Sequence, residues 1–132
     1  MKVVVHDGIG DLAKDIAAIP RKVAKDCQAT VREGAKVGNR VAKDFARETS
    51  RKHARLYPGT FTTQVATPFH GFGASSYSAE YGPEHRGQGE LAGILENGSR
   101  HNKPHLNLAR SADLIGPTFA QEVRQKMDKW FW

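Results

Sequence analysis

The chain has 132 residues, 39% of them hydrophobic and 8% aromatic, which is one domain with a modest core. Its 20 Lys/Arg outnumber 14 Asp/Glu, and its single cysteine, Cys27, excludes a disulfide framework and a thiolate zinc cluster. No apolar run reaches the ~20 residues a membrane span requires, and Met1–Gly10 does not read as a signal peptide, so synthesis in a reducing cytoplasm is expected.

In chain order, Lys2–Val5 is a short β-like run. Asp7 or Asp11 can cap a short helix over 11–18 whose apolar side is Leu12, Ile16 and Ile19. Pro20 opens a second helix and Pro58-Gly59 closes it, with no other proline between. At 100° per residue one face of this helix carries Val23, Cys27, Val31, Gly34, Gly38, Val41, Ala42 and Phe45. Lys25, Arg32, Lys36, Arg40, Lys43 and Arg47 fall opposite, and Asp26, Glu33, Asp44 and Glu48 line the flank between.

Residues 20–57 hold 11 Lys/Arg against 4 Asp/Glu, whereas the rest of the chain holds 9 against 10. The positive charge is therefore concentrated in one helix. Such a stripe is either a solvated face or a surface for phosphates or an acidic protein. No aromatic is interleaved with it, which argues against stacking on single strands. A helix of about 37 residues at ~1.5 Å each spans roughly 55 Å, against a radius of gyration of about 14 Å for a compact chain of this length. The sequence thus predicts a bend near Gly34 or Gly38, or packing of the helix on another subunit. Gly34 and Gly38 each cost about 1 kcal/mol relative to alanine, so a close neighbour is expected there, and Cys27 reads as a buried structural thiol.

After Pro58-Gly59 the period changes. Thr60–Thr67 reads as a strand, Pro68 ends it, Gly71–Gly73 is a turn, and Ser76–Tyr81 alternates Tyr77, Ala79 and Tyr81 with polar residues. The two strands form a β-hairpin over 58–82. Residues 83–90 read as a flexible loop. Leu91–Glu96 is a short helix stopped by Asn97-Gly98, where Gly98 supplies a left-handed residue. Pro104 is expected to start a helix that Gly116-Pro117 interrupts and restarts. Phe119, Val123, Met127 and Trp130 form one apolar face to the end. Trp130, Phe131 and Trp132 are expected to dock on this subunit or a neighbour. The fold class is α+β, in a single domain: helical over 1–57 and again over 91–132.

Nothing in the sequence marks a catalytic or metal site. His101 and His105 are four apart, but Pro104 intervenes, and no paired-cysteine, zincin or phosphate-loop pattern is present. No cofactor is implied.

The C-terminal half carries a familiar order. Tyr81-Gly82-Pro83 precedes a glycine-rich loop, then Leu91 through Ser99 (LAGILENGS), Pro104-His105-Leu106 with Leu108-Ala109, and Pro117-Thr118-Phe119. This resembles the tail-completion, or minor tail, proteins of the neck of long-tailed bacteriophages. That family also opens with a helix leading into a long basic one. Asn97 stands where the family usually has an aromatic residue, and Asn102-Lys103 replace the first proline of its second element.

The resemblance implies a structural virion protein and not an enzyme. Its subunits would form a ring, expected to be hexameric, that completes the tail between the head-closure (connector) protein and the tail terminator or tail tube, with genomic DNA passing through the lumen. On this reading Glu96, Gly98, Pro104 and Leu106 are fold-making, with Leu106 anchoring the last helix. Gly34, Gly38, Val41, Phe45, Trp130, Phe131 and Trp132 are candidates for subunit packing. The basic stripe faces DNA or an acidic neighbouring ring. The alternative is a small nucleic-acid-binding protein that uses the same stripe.

Overall fold

A computed structural model of the chain describes residues 2–6, 21–50, 52–71 and 74–131. The expected helix over 11–18 and Trp132 lie outside them. The fold is α+β. A strand β1 (Val3–His6) precedes the long helix α1 (Arg21–Thr49). Strands β2 (Phe61–Val65), β3 (Phe69–Gly71), β4 (Ala74–Ser76) and β5 (Ser78–Pro83) follow. A short helix α2 (Ala92–Asn97) and a long helix α3 (Asn107–Phe131) complete the chain.

β5 is the centre of a three-stranded antiparallel sheet. β2 pairs with it from Phe61↔Pro83 to Val65↔Ala79, which is the expected hairpin. β1 adds to its other edge, from Val3↔Tyr81 to His6↔Ser78. The tip of the hairpin folds into a second ladder, β3 on β4. Tyr77, Ala79 and Tyr81 are all buried, as period-two alternation requires of a strand with one covered face.

The covering layer is α1, whose buried side is Val23, Cys27, Val31, Ala35, Ala42 and Ala46. Ala35 and Ala46, outside the predicted stripe, belong to it because the seam is lined mainly by small side chains that let a second helix approach. That helix is α3, which runs antiparallel to α1 and is pinned at both ends. Thr49 Oγ1 lies 3.2 Å from Asn107 Oδ1, and Trp130 Nε1 donates to Asp26 Oδ2 at 3.0 Å.

Three boundaries differ from the sequence reading. α1 ends at Thr49, not near Tyr57. The Thr49 hydroxyl turns back 3.1 Å from the Phe45 carbonyl, and the Ser50 N–H makes the last bond to Ala46 O. Eight more helical residues would carry Tyr57 roughly 12 Å beyond Thr49. Instead its ring is fully buried and packs edge-on against Phe61, 5.1 Å between centroids, in a 3₁₀ turn over Tyr57–Thr60.

α3 begins at Asn107, not at Pro104. The N–H groups of His105 and Leu106 bond to the carbonyls of Leu95 and Glu96, and Leu106 adopts φ 52°, so no helix can form there. Leu106 is exposed, and the buried leucine that anchors α3 is Leu108. Gly116-Pro117 does not interrupt α3 either. Both residues are on its exposed side, while Ile115 before them and Phe119, Val123 and Met127 after them pack on the same core.

The 83–90 stretch is held down. Glu84 N–H bonds to Thr60 O, a 3₁₀ turn covers Gly87–Leu91, and Gly89 is buried where a side chain would collide with the Glu84 carbonyl.

Candidate functional site

The 29 residues of α1 present two contrasting sides. On the outer one, Lys25, Arg32, Lys36, Arg40 and Arg47 are exposed and Lys43 is half-buried. From Lys25 to Arg47 the row extends about 33 Å at ~1.5 Å per residue. Arg47 is paired with Asp44 at 2.9 Å, both well exposed, so the pair is worth little. Nothing in the described chain folds over this row.

Beside it, α1 and α3 part to leave an apolar groove of about 280 Å³. Gly34, Val37 and Val41 form one wall, and Leu114, Ile115 and Phe119 the other. Leu114 is 59% exposed and Val37 37%, so the groove opens to solvent. Val37 lies one residue after Lys36 and three before Arg40, placing the opening along the edge of the basic row.

The predicted packing residues separate into different environments. Gly38 is closed over by its own chain: a Cβ there would lie 2.6 Å from Tyr81 Cζ and 2.8 Å from Ile115 Cδ1. Gly34 and Val41 line the groove. Phe45 is half-buried, with the Arg110 guanidinium 4.3 Å above its ring. Trp130 is half-buried against its own subunit through Asp26. The sequence reading missed Leu114 and Ile115. They flank the Gly116-Pro117 step, where an assumed break in the helix hides their common face with Phe119.

Glu96 occupies a distinct position. It is 2% exposed, and its carboxylate accepts the Leu108 N–H at 2.9 Å, capping α3 from a residue on α2. Burial pushes its carboxyl above the ordinary glutamate range, against the opposing effects of its backbone hydrogen bonds and of Arg110 and His105. Burial also raises Tyr81, whose hydroxyl is 2.8 Å from Ser111 Oγ, and the Glu96 charge adds to that rise. Tyr57 is raised by burial first and by Glu96 second. Gly98 ends α2 at φ 77°, ψ 175°, and a Cβ there would sit 2.8 Å from Pro104 N. Glycine is required there on both counts. This buried polar node joins α2, α3 and β5.

Among the described residues, no group of three His, Cys, Asp or Glu is placed to hold a metal ion, and no helix is long and apolar enough to cross a membrane. Cys27 is 1% exposed. His70 meets Ser75 Oγ at 2.9 Å on the exposed hairpin tip, while His101 is exposed and His105 half-buried on the loop before α3. No protein-family model, no curated protein and no solved structure matches the chain significantly.

Proposed function

We propose that this chain is a structural subunit of the neck of a long-tailed bacteriophage virion. Made in the host cytoplasm, it assembles into a homo-oligomeric ring, six-fold by the resemblance of its C-terminal half. The ring completes the tail and joins it to the head-closure protein on one side and to the tail terminator or tube on the other. The observation that carries the reading is the uncovered apolar groove running beside a continuous basic row on α1. An open apolar groove and an exposed row of like charge are features of a surface completed by association. A groove whose occupant lies elsewhere on an identical subunit gives a head-to-tail contact, and such contacts form a ring where the rotation between subunits closes. The basic row then faces the DNA in the lumen or an acidic neighbouring ring.

Electron microscopy of virions lacking this protein tests the reading. Heads and tails left unjoined, or malformed tails, are the expected outcome, with density for the labelled protein at the head–tail junction of complete particles. Normal particles without the protein would refute it.

The exposure of five of the six stripe cations favours a second reading, a nucleic-acid-binding protein acting as a free chain. Each phosphate neutralised would contribute about −0.9 to the slope of log affinity against log salt on duplex DNA. Reversing Lys36, Arg40 and Lys43 to glutamate should then shrink that slope by about three. A salt-independent affinity, or one unaffected by these changes, removes this reading.

A further inference from the structure

Past the C-terminal end of α1 a larger cleft, about 630 Å³, lies between the segment following α1 and the unit made of α2 and the loop leading to α3. Its apolar floor and lip are Ala54, Leu91, Ile94 and Leu95, of which Leu91 is 38% and Ile94 48% exposed. Its polar lining is Lys52 and His53 from one side and Lys103 and His105 from the other. None of the lining residues is acidic. The nearest buried carboxylate, Glu96, is committed to the N-terminus of α3.

Two polar atoms in this lining are buried without a hydrogen-bond partner among the described residues: Ser50 Oγ, on a residue only 6% exposed, and His105 Nδ1. A buried hydroxyl left unpaired costs about 1–3 kcal/mol, and here it borders a cavity with room for a partner.

We propose that this cleft is a docking site for an acidic peptide segment of a partner protein, anchored by one or two apolar side chains. Charge complementarity selects this occupant. Exposed lysines from opposite walls hold carboxylates at the rim, while Leu91, Ile94 and Leu95 receive the anchor. Ser50 Oγ and His105 Nδ1 offer hydrogen bonds to the bound backbone. Leu56, 72% exposed on the turn before Tyr57, is tied to the segment before Leu91 by its N–H to Gln88. A peptide with a few apolar anchors and acidic flanks matches this mixture of an apolar floor and a cationic rim. The inference stands apart from the virion reading, because it uses neither the groove nor the stripe.

The test is selection from a random peptide library displayed on yeast, followed by fluorescence anisotropy with a labelled copy of a recovered peptide. Recovered sequences should pair Asp or Glu with Leu, Ile or an aromatic residue. Lys52→Glu with Lys103→Glu, both at exposed positions, should weaken binding about tenfold or more, and Ile94→Asp by a similar factor. Ser50→Ala should weaken it severalfold while leaving the melting temperature no lower, since that hydroxyl makes no internal bond and its removal relieves an unpaired buried group. Recovered peptides without acidic residues, or binding indifferent to these variants, would overturn the proposal. A cleft that takes dodecanoate but selects no peptide is a small-molecule site, and that result overturns it too.

Discussion

At the scale of single residues the structure turns on Glu96. A helix N-terminus leaves several backbone N–H groups without partners, and α3 satisfies one through a carboxylate that arrives from α2. Burial raises this carboxyl above its unfolded value, so the folded chain holds the proton more tightly than the unfolded chain does. The stability this contributes is complete below the unfolded glutamate range, near pH 4.3, and is lost as pH rises through the raised folded value. Glu96→Gln keeps an acceptor for the Leu108 N–H and removes the titration. The melting temperature of the variant, measured relative to the parent, should therefore increase as pH is raised from about 4 toward 8. A constant difference across that range would mean that the carboxyl ionises as readily in the folded chain as in the unfolded one.

Elements show where the chain's pattern was sufficient and where it was not. The period-two run through Tyr77, Ala79 and Tyr81 and the helical spacing of Val23, Cys27 and Val31 place the covered face of β5 and the buried side of the first half of α1 correctly, because both sides of those elements differ sharply in polarity. The end of α1 is not legible, since Ala46, Ser50, Ala54 and Tyr57 keep helical spacing and all are buried, although the helix stops at Thr49. Tertiary demand for the Tyr57 ring beside Phe61 overrides the local pattern there. The groove was half legible: Gly34 and Val41 stood on the apolar stripe, but its other wall required α3 to continue through Pro117. A proline inside a helix removes one hydrogen bond and crowds the preceding turn. Packing of Ile115 and Phe119 on the same core offsets that cost. Pro117→Ala, at an exposed position, should therefore raise stability by up to about 3 kcal/mol in urea unfolding. A loss of stability would show instead that α3 needs the proline's local distortion to seat both halves.

For the whole molecule, the question is whether the groove between α1 and α3 is an incompletely filled seam or a surface made for another copy. Internal packing and assembly predict different behaviour for the same substitution. Leu114 is 59% exposed, so Leu114→Asp removes little buried area from the isolated subunit and should change its stability by no more than about 0.5 kcal/mol. In an assembled ring the same residue would be covered by a neighbour, and an unpaired carboxylate there would be costly enough to prevent closure. Val37→Asp, at 37% exposure across the groove, serves as the second variant. On the proposed virion reading, Leu114→Asp should melt with the parent and Val37→Asp close to it, yet both should fail to restore joined particles when supplied to a phage lacking the gene. Parental titre from both would mean that the groove is never covered and that subunits meet elsewhere, leaving the basic row as the only part of α1 available to a partner. Failure of assembly with an unchanged melting temperature is a result that a merely loose core cannot produce, because a core defect would lower stability in the isolated chain first.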